Sequence, residues 1–269
     1  MINLRSTISF YYGLFKSRRI ILELARSDFK DKYLGSYLGT FWAFFQPMLL
    51  ILIYWFVFQV GLRNEPIDNY PFILWLLAGL IPWFFFSDSI SSATYAVVQN
   101  TFLVKKIVFK VNNLPIIKIV SSGIINFLFI GIMLLIFLCY GELNSIYNFF
   151  VVYYLFCLVS LVVGLSWFTS SLLPFFKDIG QIVNSILQIG FWVTPIFWSF
   201  SILPAKYEFI FKLNPMFYIV QGFRDSLIYH KGFWEHPWLL LYFWSVTLAL
   251  LIGGAFLYKK LVPHFPDVL

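Results

Sequence analysis

With 269 residues, 61% of them apolar and only 12% charged, the chain lacks the polar groups to cover a water-soluble globule, in which about a quarter of residues are charged. That excludes a soluble enzyme or binding module and makes lipid the solvent for most of the surface. The net charge of +7 would suit a nucleic-acid partner in a soluble protein, but here the positive-inside bias of membrane proteins must account for it first.

Residues 1–31 mix bases with apolar positions. Leu4, Ile8, Tyr11 and Phe15 recur every three or four residues among Arg5, Lys16, Arg18 and Arg19, which predicts an amphipathic helix lying in the membrane interface. Basic residues continue through Arg26, Lys30 and Lys32, and no clean apolar run of a secretory leader is present. Stretches nearly free of charge, each offering the roughly 20 residues a span needs, then follow at 33–62, 70–98, 114–140, 147–172, 179–200 and 237–258. The expected fold class is an all-α polytopic membrane protein. It has one domain, six transmembrane helices and an amino-terminal interface helix.

Two connections stand out. Residues 99–112 join the second and third spans. Residues 201–236 are rich in aromatics such as Tyr207, Phe209, Phe217 and Phe223, but Pro204, Pro215 and Gly222 cut them into runs too short to span. Short re-entrant helices fit that segment, because irregular backbone exposed to lipid is costly.

Placing the amino terminus inside assigns 14 of the 19 Lys and Arg residues to inner segments. The outer segments keep Arg63, Lys206, Lys212, Arg224 and Lys231, together with six acids. This bias predicts a multi-pass plasma-membrane protein with both termini cytoplasmic, and the net charge then needs no nucleic acid.

Catalytic patterns are missing. No loop ends in Gly-Lys-Ser/Thr, and His230, His236 and His264 have no ligand spacing. Cys139 and Cys157 fall in apolar segments and imply no disulfide framework. The chain is expected to bind no metal or cofactor itself, so any ATP hydrolysis belongs to another chain. A membrane-embedded transferase would require acids and histidines clustered at one face. A secondary transporter would require several intramembrane ionisable groups.

Four local patterns can carry function. In the first inner loop, Phe102, Leu103 and Val104 precede Lys105 and Lys106, followed by Ile107 and Phe109. That suits either a membrane-hugging loop with topogenic lysines or a docking helix for a cytoplasmic partner. In the fifth span Gln181, Asn184 and Gln188 form a helical stripe continued by Phe191, with Trp198 near the outer end. Interhelical hydrogen bonding and the wall of a polar path both explain it. In the first span Tyr33, Tyr37, Phe41 and Phe45 form an aromatic row, either belt and core packing or path lining, and Gly35 with Gly39 suggests close helix packing. Asp88 is an acid deep in a span, surrounded by serines.

The whole chain, in order, resembles the membrane subunit of ABC-2-type exporters of bacterial surface polysaccharides. The matching residues are Arg26-Ser-Asp-Phe-Lys30-Asp-Lys-Tyr33-Leu-Gly35-Ser-Tyr-Leu-Gly39-Thr-Phe-Trp42 with Pro47, then Leu103-Val-Lys105-Lys106. Phe176-Lys177-Asp178, Asn214-Pro215 and the terminal Phe265-Pro-Asp267-Val-Leu complete the set. Within that group it looks most like a wall teichoic acid permease. The resemblance implies a homodimeric conduit above two ATPase subunits that hold ATP and Mg. It implies that 99–112 is the coupling loop entering a groove of the ATPase. It also implies that the interface helix gates a lipid-linked substrate, with Arg18, Arg19, Arg26 and Lys30 near its pyrophosphate. Topogenic charge is the simpler account of those four.

Overall fold

A computed structural model describes residues 17–33, 39, 41–62, 70–104, 111–199 and 204–269. Helix α1 (Arg18–Tyr33) turns Ile21 and Ala25 into the protein and leaves Arg18, Arg19, Arg26 and Lys30 exposed. This is the amphipathic division read from the sequence. The residues before Ser17 lie outside the described part.

The first apolar helix, α2 (Phe41–Gly61), begins at Phe41 rather than at 33. Gly39, just ahead of it, has φ +48°, a conformation glycine adopts without steric cost. It therefore occupies a turn, so the expected Gly35/Gly39 helix-packing pair is not on α2; Gly35 lies outside the described residues. The last turn of α2 widens, with the Leu62 amide donating to the Val57 carbonyl at 2.8 Å.

Helix α3 (Phe72–Thr94) is apolar almost all round and is buried on nearly every side. Its neighbours are α4 (Leu114–Cys139) and α5 (Phe150–Leu172), which lie against it along much of its length. Helix α6 (Ile179–Val193) contacts α3 with one face only, and its Ile182, Ile186, Ile189 and Trp192 point outward. After it come α7 (Ala205–Lys212), α8 (Pro215–Leu227) and α9 (Pro237–Leu261). Among the described residues five helical segments are long and apolar enough to cross a bilayer, and α6 is a shorter apolar helix.

Helices α5 and α9 meet closely where Gly164 faces Gly254. A Cβ on Gly254 would stand 2.6 Å from the Gly164 carbonyl oxygen, and one on Gly164 would stand 2.9 Å from the Leu251 amide. Small residues at a crossing suit lipid, where apolar side chains gain little by leaving the solvent.

Helix α6 stops at Val193, short of the expected 200, because Thr194 turns extended (ψ 132°) ahead of Pro195. Thr194, Pro195, Ile196 and Phe197 are all buried, the condition under which irregular backbone is tolerated at membrane depth. The segment beyond it holds the short helices α7 and α8. Asn214 caps α8 by accepting from the Met216 amide at 3.0 Å, and it donates to Thr194 Oγ1 at 2.8 Å. From there α8 runs between α3 and α5, buried from Met216 to Leu227 apart from Gln221.

The end of the bundle that carries α1, Lys118, Lys259 and Lys260 is the basic end. Here Tyr258 Oη donates to the Val111 carbonyl at 3.0 Å, and the fully buried Phe265 sits between Tyr258 and Phe175. The terminal Phe265-Pro266-Asp267-Val268 run is thus a short helical turn tucked under the bundle.

Candidate translocation groove

Four helices leave a recess between them. Helices α2, α3, α4 and α6, with Lys32 from the end of α1, border a cavity of about 650 Å³. Aromatic faces come from Trp42, Tyr54, Trp83 and Phe191, and neutral hydrogen-bonding groups from Gln46, Ser122 and Asn126. A second recess of about 280 Å³ shares Trp83, Ser87, Ser91 and Phe191 with the first, and adds Asn184 and Gln188. The two adjoin across Trp83, Ser87, Ser91 and Phe191 and are described together as one groove.

Phe191 is its hub. Its ring centroid lies 5.8 Å from that of Tyr54 on α2, 5.9 Å from Trp83 on α3 and 5.0 Å from Phe197 beyond α6. Ser91 Oγ donates to Asn184 Oδ1 at 3.3 Å, so one amide of the α6 stripe is engaged with α3 while its amide nitrogen can still donate. Aromatic faces alternating with neutral donors and acceptors suit a cargo made of hydroxyl-bearing rings.

Of the residues read from sequence as path lining, Asn184, Gln188 and Phe191 come together here. Gln181 lies further along α6, exposed and outside the groove. Phe41 is 51% exposed and stacks on Phe45 at 5.1 Å instead of lining the cavity. Trp198 is also elsewhere, donating Nε1–H to the Trp192 carbonyl at 3.1 Å and meeting Phe211 edge-on. The Tyr33 side chain and Tyr37 lie outside the described residues. Sequence reasoning missed Tyr54, Trp83 and Asn126. For Asn126 a signal existed, a lone amide inside an apolar run.

Asp88 does have a partner. Lys32 Nζ, at the end of α1, donates to Asp88 Oδ1 at 2.9 Å, and both line the cavity. Arg18, Arg19, Arg26 and Lys30 are exposed on α1 and do not line it. In the first inner loop a helical turn, Thr101–Val104, leaves Phe102 62% exposed, Leu103 half-buried and Val104 buried. Lys105, Lys106, Ile107 and Phe109 lie outside the described residues.

The break that ends α6 is held by a group read from sequence as an outer-loop charge. Arg224 is completely buried in α8. Its Nη1 donates to the Pro195 carbonyl at 2.7 Å, Nη2 to Ile196 at 3.1 Å and Nε to Trp75 at 3.4 Å. The carbonyls freed where α6 breaks are therefore satisfied by a side chain 28 and 29 residues further on. Next to it, burial raises the Asp225 carboxyl above its ordinary range, opposed by a 2.9 Å hydrogen bond from Gln221 and by His236, whose Nε2 is 3.4 Å away.

Residues 20–228 match the family described as ABC-2 type transporter. The chain belongs to the ABC-2 transporter membrane family. The match opens in α1 and closes just past α8, so it contains both the groove and the Arg224 anchor. Among curated relatives, an O-antigen export system permease protein RfbA of Klebsiella pneumoniae is 26% identical over 98% of this chain and 100% of its own length. A protein of the same name from Myxococcus xanthus is 26% identical, covering 94% of this chain and 96% of itself. The polysialic acid transport protein KpsM of Escherichia coli is 23% identical over 91% and 95%. This ABC-2 chain thus aligns with those proteins nearly end to end.

Proposed function

We propose that the chain is the permease half of an ATP-driven exporter that carries a lipid-linked surface polysaccharide out across the plasma membrane. The observation that carries this reading is the groove itself, where neutral amides and hydroxyls alternate with Trp42, Tyr54, Trp83 and Phe191 within a membrane bundle. Names of the full-length relatives, O-antigen and polysialic acid export proteins, support a polysaccharide cargo. Two copies would complete the path across the outward faces of α2 and α6, which are apolar and exposed. A separate ATPase, holding ATP and Mg, would dock at the basic end against the turn that presents Phe102. Arg18, Arg19, Arg26 and Lys30 would face the substrate's anionic link at the membrane surface.

Affinity purification from native membranes tests the class. A co-purifying ATP-binding-cassette subunit supports it, and a purely homomeric protein overturns it. For the cargo, the relatives' names favour O-antigen or polysialic acid, and sequence resemblance favours wall teichoic acid. Depleting the chain and identifying the lipid-linked polymer that accumulates inside the cell decides between them.

A further inference from the structure

Asp28 and Lys32 lie four residues apart on α1 and therefore on one face of it. Each pairs with a different span. Lys118 Nζ of α4 donates to Asp28 Oδ1 at 2.6 Å, with side chains only 15% and 23% exposed. Lys32 Nζ reaches Asp88 of α3 at 2.9 Å, with both side chains 41% exposed. The first pair is shielded from water and fastens α1 to α4. The second is more open and lies on the wall of the 650 Å³ cavity.

An open pair on a cavity wall can be reached by a ligand and exchanged. Against Asp88, a phosphate offers Lys32 more charge and more acceptor oxygens. Ser122 and Asn126, on the same cavity, add neutral hydrogen-bonding groups, and aromatic walls lie beyond them for an apolar tail. We propose that the Lys32–Asp88 pair is the resting form of an anion site, in which the phosphate or diphosphate headgroup of an amphiphilic cargo displaces Asp88 from Lys32. This rests on the exporter reading above and adds a residue and a switch to it. At rest the pair holds the end of α1 against α3 at the cavity's edge. When the headgroup takes Lys32, that end leaves α3, while Asp28 keeps α1 on α4. The uncovered Asp88 then repels the anion beside it, so the site hands the headgroup on.

The test uses the full-length chain in phosphatidylcholine nanodiscs with farnesyl diphosphate as the probe. Inorganic pyrophosphate and phosphatidylglycerol serve as competitors. Lys32→Gln weakens probe binding about tenfold, Asp88→Asn tightens it several-fold, and Lys32→Arg retains it. Opposite signs for the two neutralising variants are the signature of exchange. Equal weakening by both would show a mechanical brace and overturn the proposal, as would no change in either. Pyrophosphate competing as well as the farnesyl compound would make this a free-anion site, and phosphatidylglycerol doing so would make it a bulk-lipid site; either overturns it. Failure here with an ATPase subunit still co-purifying leaves the exporter reading standing.

Discussion

The guanidinium carbon of Arg224 lies 3.2 Å from the ring centroid of Trp75, while its nitrogens donate to three backbone carbonyls. One buried cation thus joins α8, α3 and the end of α6. Arg224→Met keeps most of the volume but strands those carbonyls and the Trp75 face. We expect it to lower stability by about 2–4 kcal/mol, read as a fall in thermal unfolding temperature in detergent. Gly79→Ala should act in the same direction, because its Cβ would stand 2.9 Å from Arg224 Nη2.

Gly254→Val tests the α5–α9 crossing. Its Cβ would press on the Gly164 carbonyl, which is backbone and cannot rotate away. The helices must separate, and membrane abundance should fall several-fold in quantitative blots, while Gly253→Val, at an open position, leaves it unchanged.

In the groove, Phe191→Ala and Trp83→Ala each remove an aromatic face. Export should drop about tenfold, the worth of one stacking contact, while membrane abundance changes less. Equal losses of both would reduce the groove to packing.

Phe102 is a large apolar side chain exposed beside the basic end. Phe102→Ala should cut recovery of the ATPase subunit in pull-downs by about tenfold or more, as for a central interface aromatic, with the permease itself still at full abundance. Unchanged recovery would return the loop to a membrane-hugging role.

The spans were legible because lipid demands long charge-free stretches, and the stripe of Asn184, Gln188 and Phe191 because helical spacing puts them on one face. Arg224 was not legible. Counting cations by side treats each as solvated, whereas its acceptors exist only because α6 breaks at Thr194. The facing wall of the groove was hidden for a related reason. Tyr54, Trp83 and Ser91 are ordinary span residues until α2, α3 and α6 are assembled. The start of α2 was misplaced because apolar patterning continues through 33–40, while the turn is set by a positive φ at Gly39 that composition does not reveal.

Helix α6 has 15 residues and so is about 22 Å long, against a hydrocarbon layer of about 30 Å. That is hydrophobic mismatch along the one helix whose polar stripe borders the groove. The buried Thr194–Phe197 run carries the backbone on past the helix end, and Arg224 satisfies the carbonyls there, so this wall reaches deeper than its helix alone.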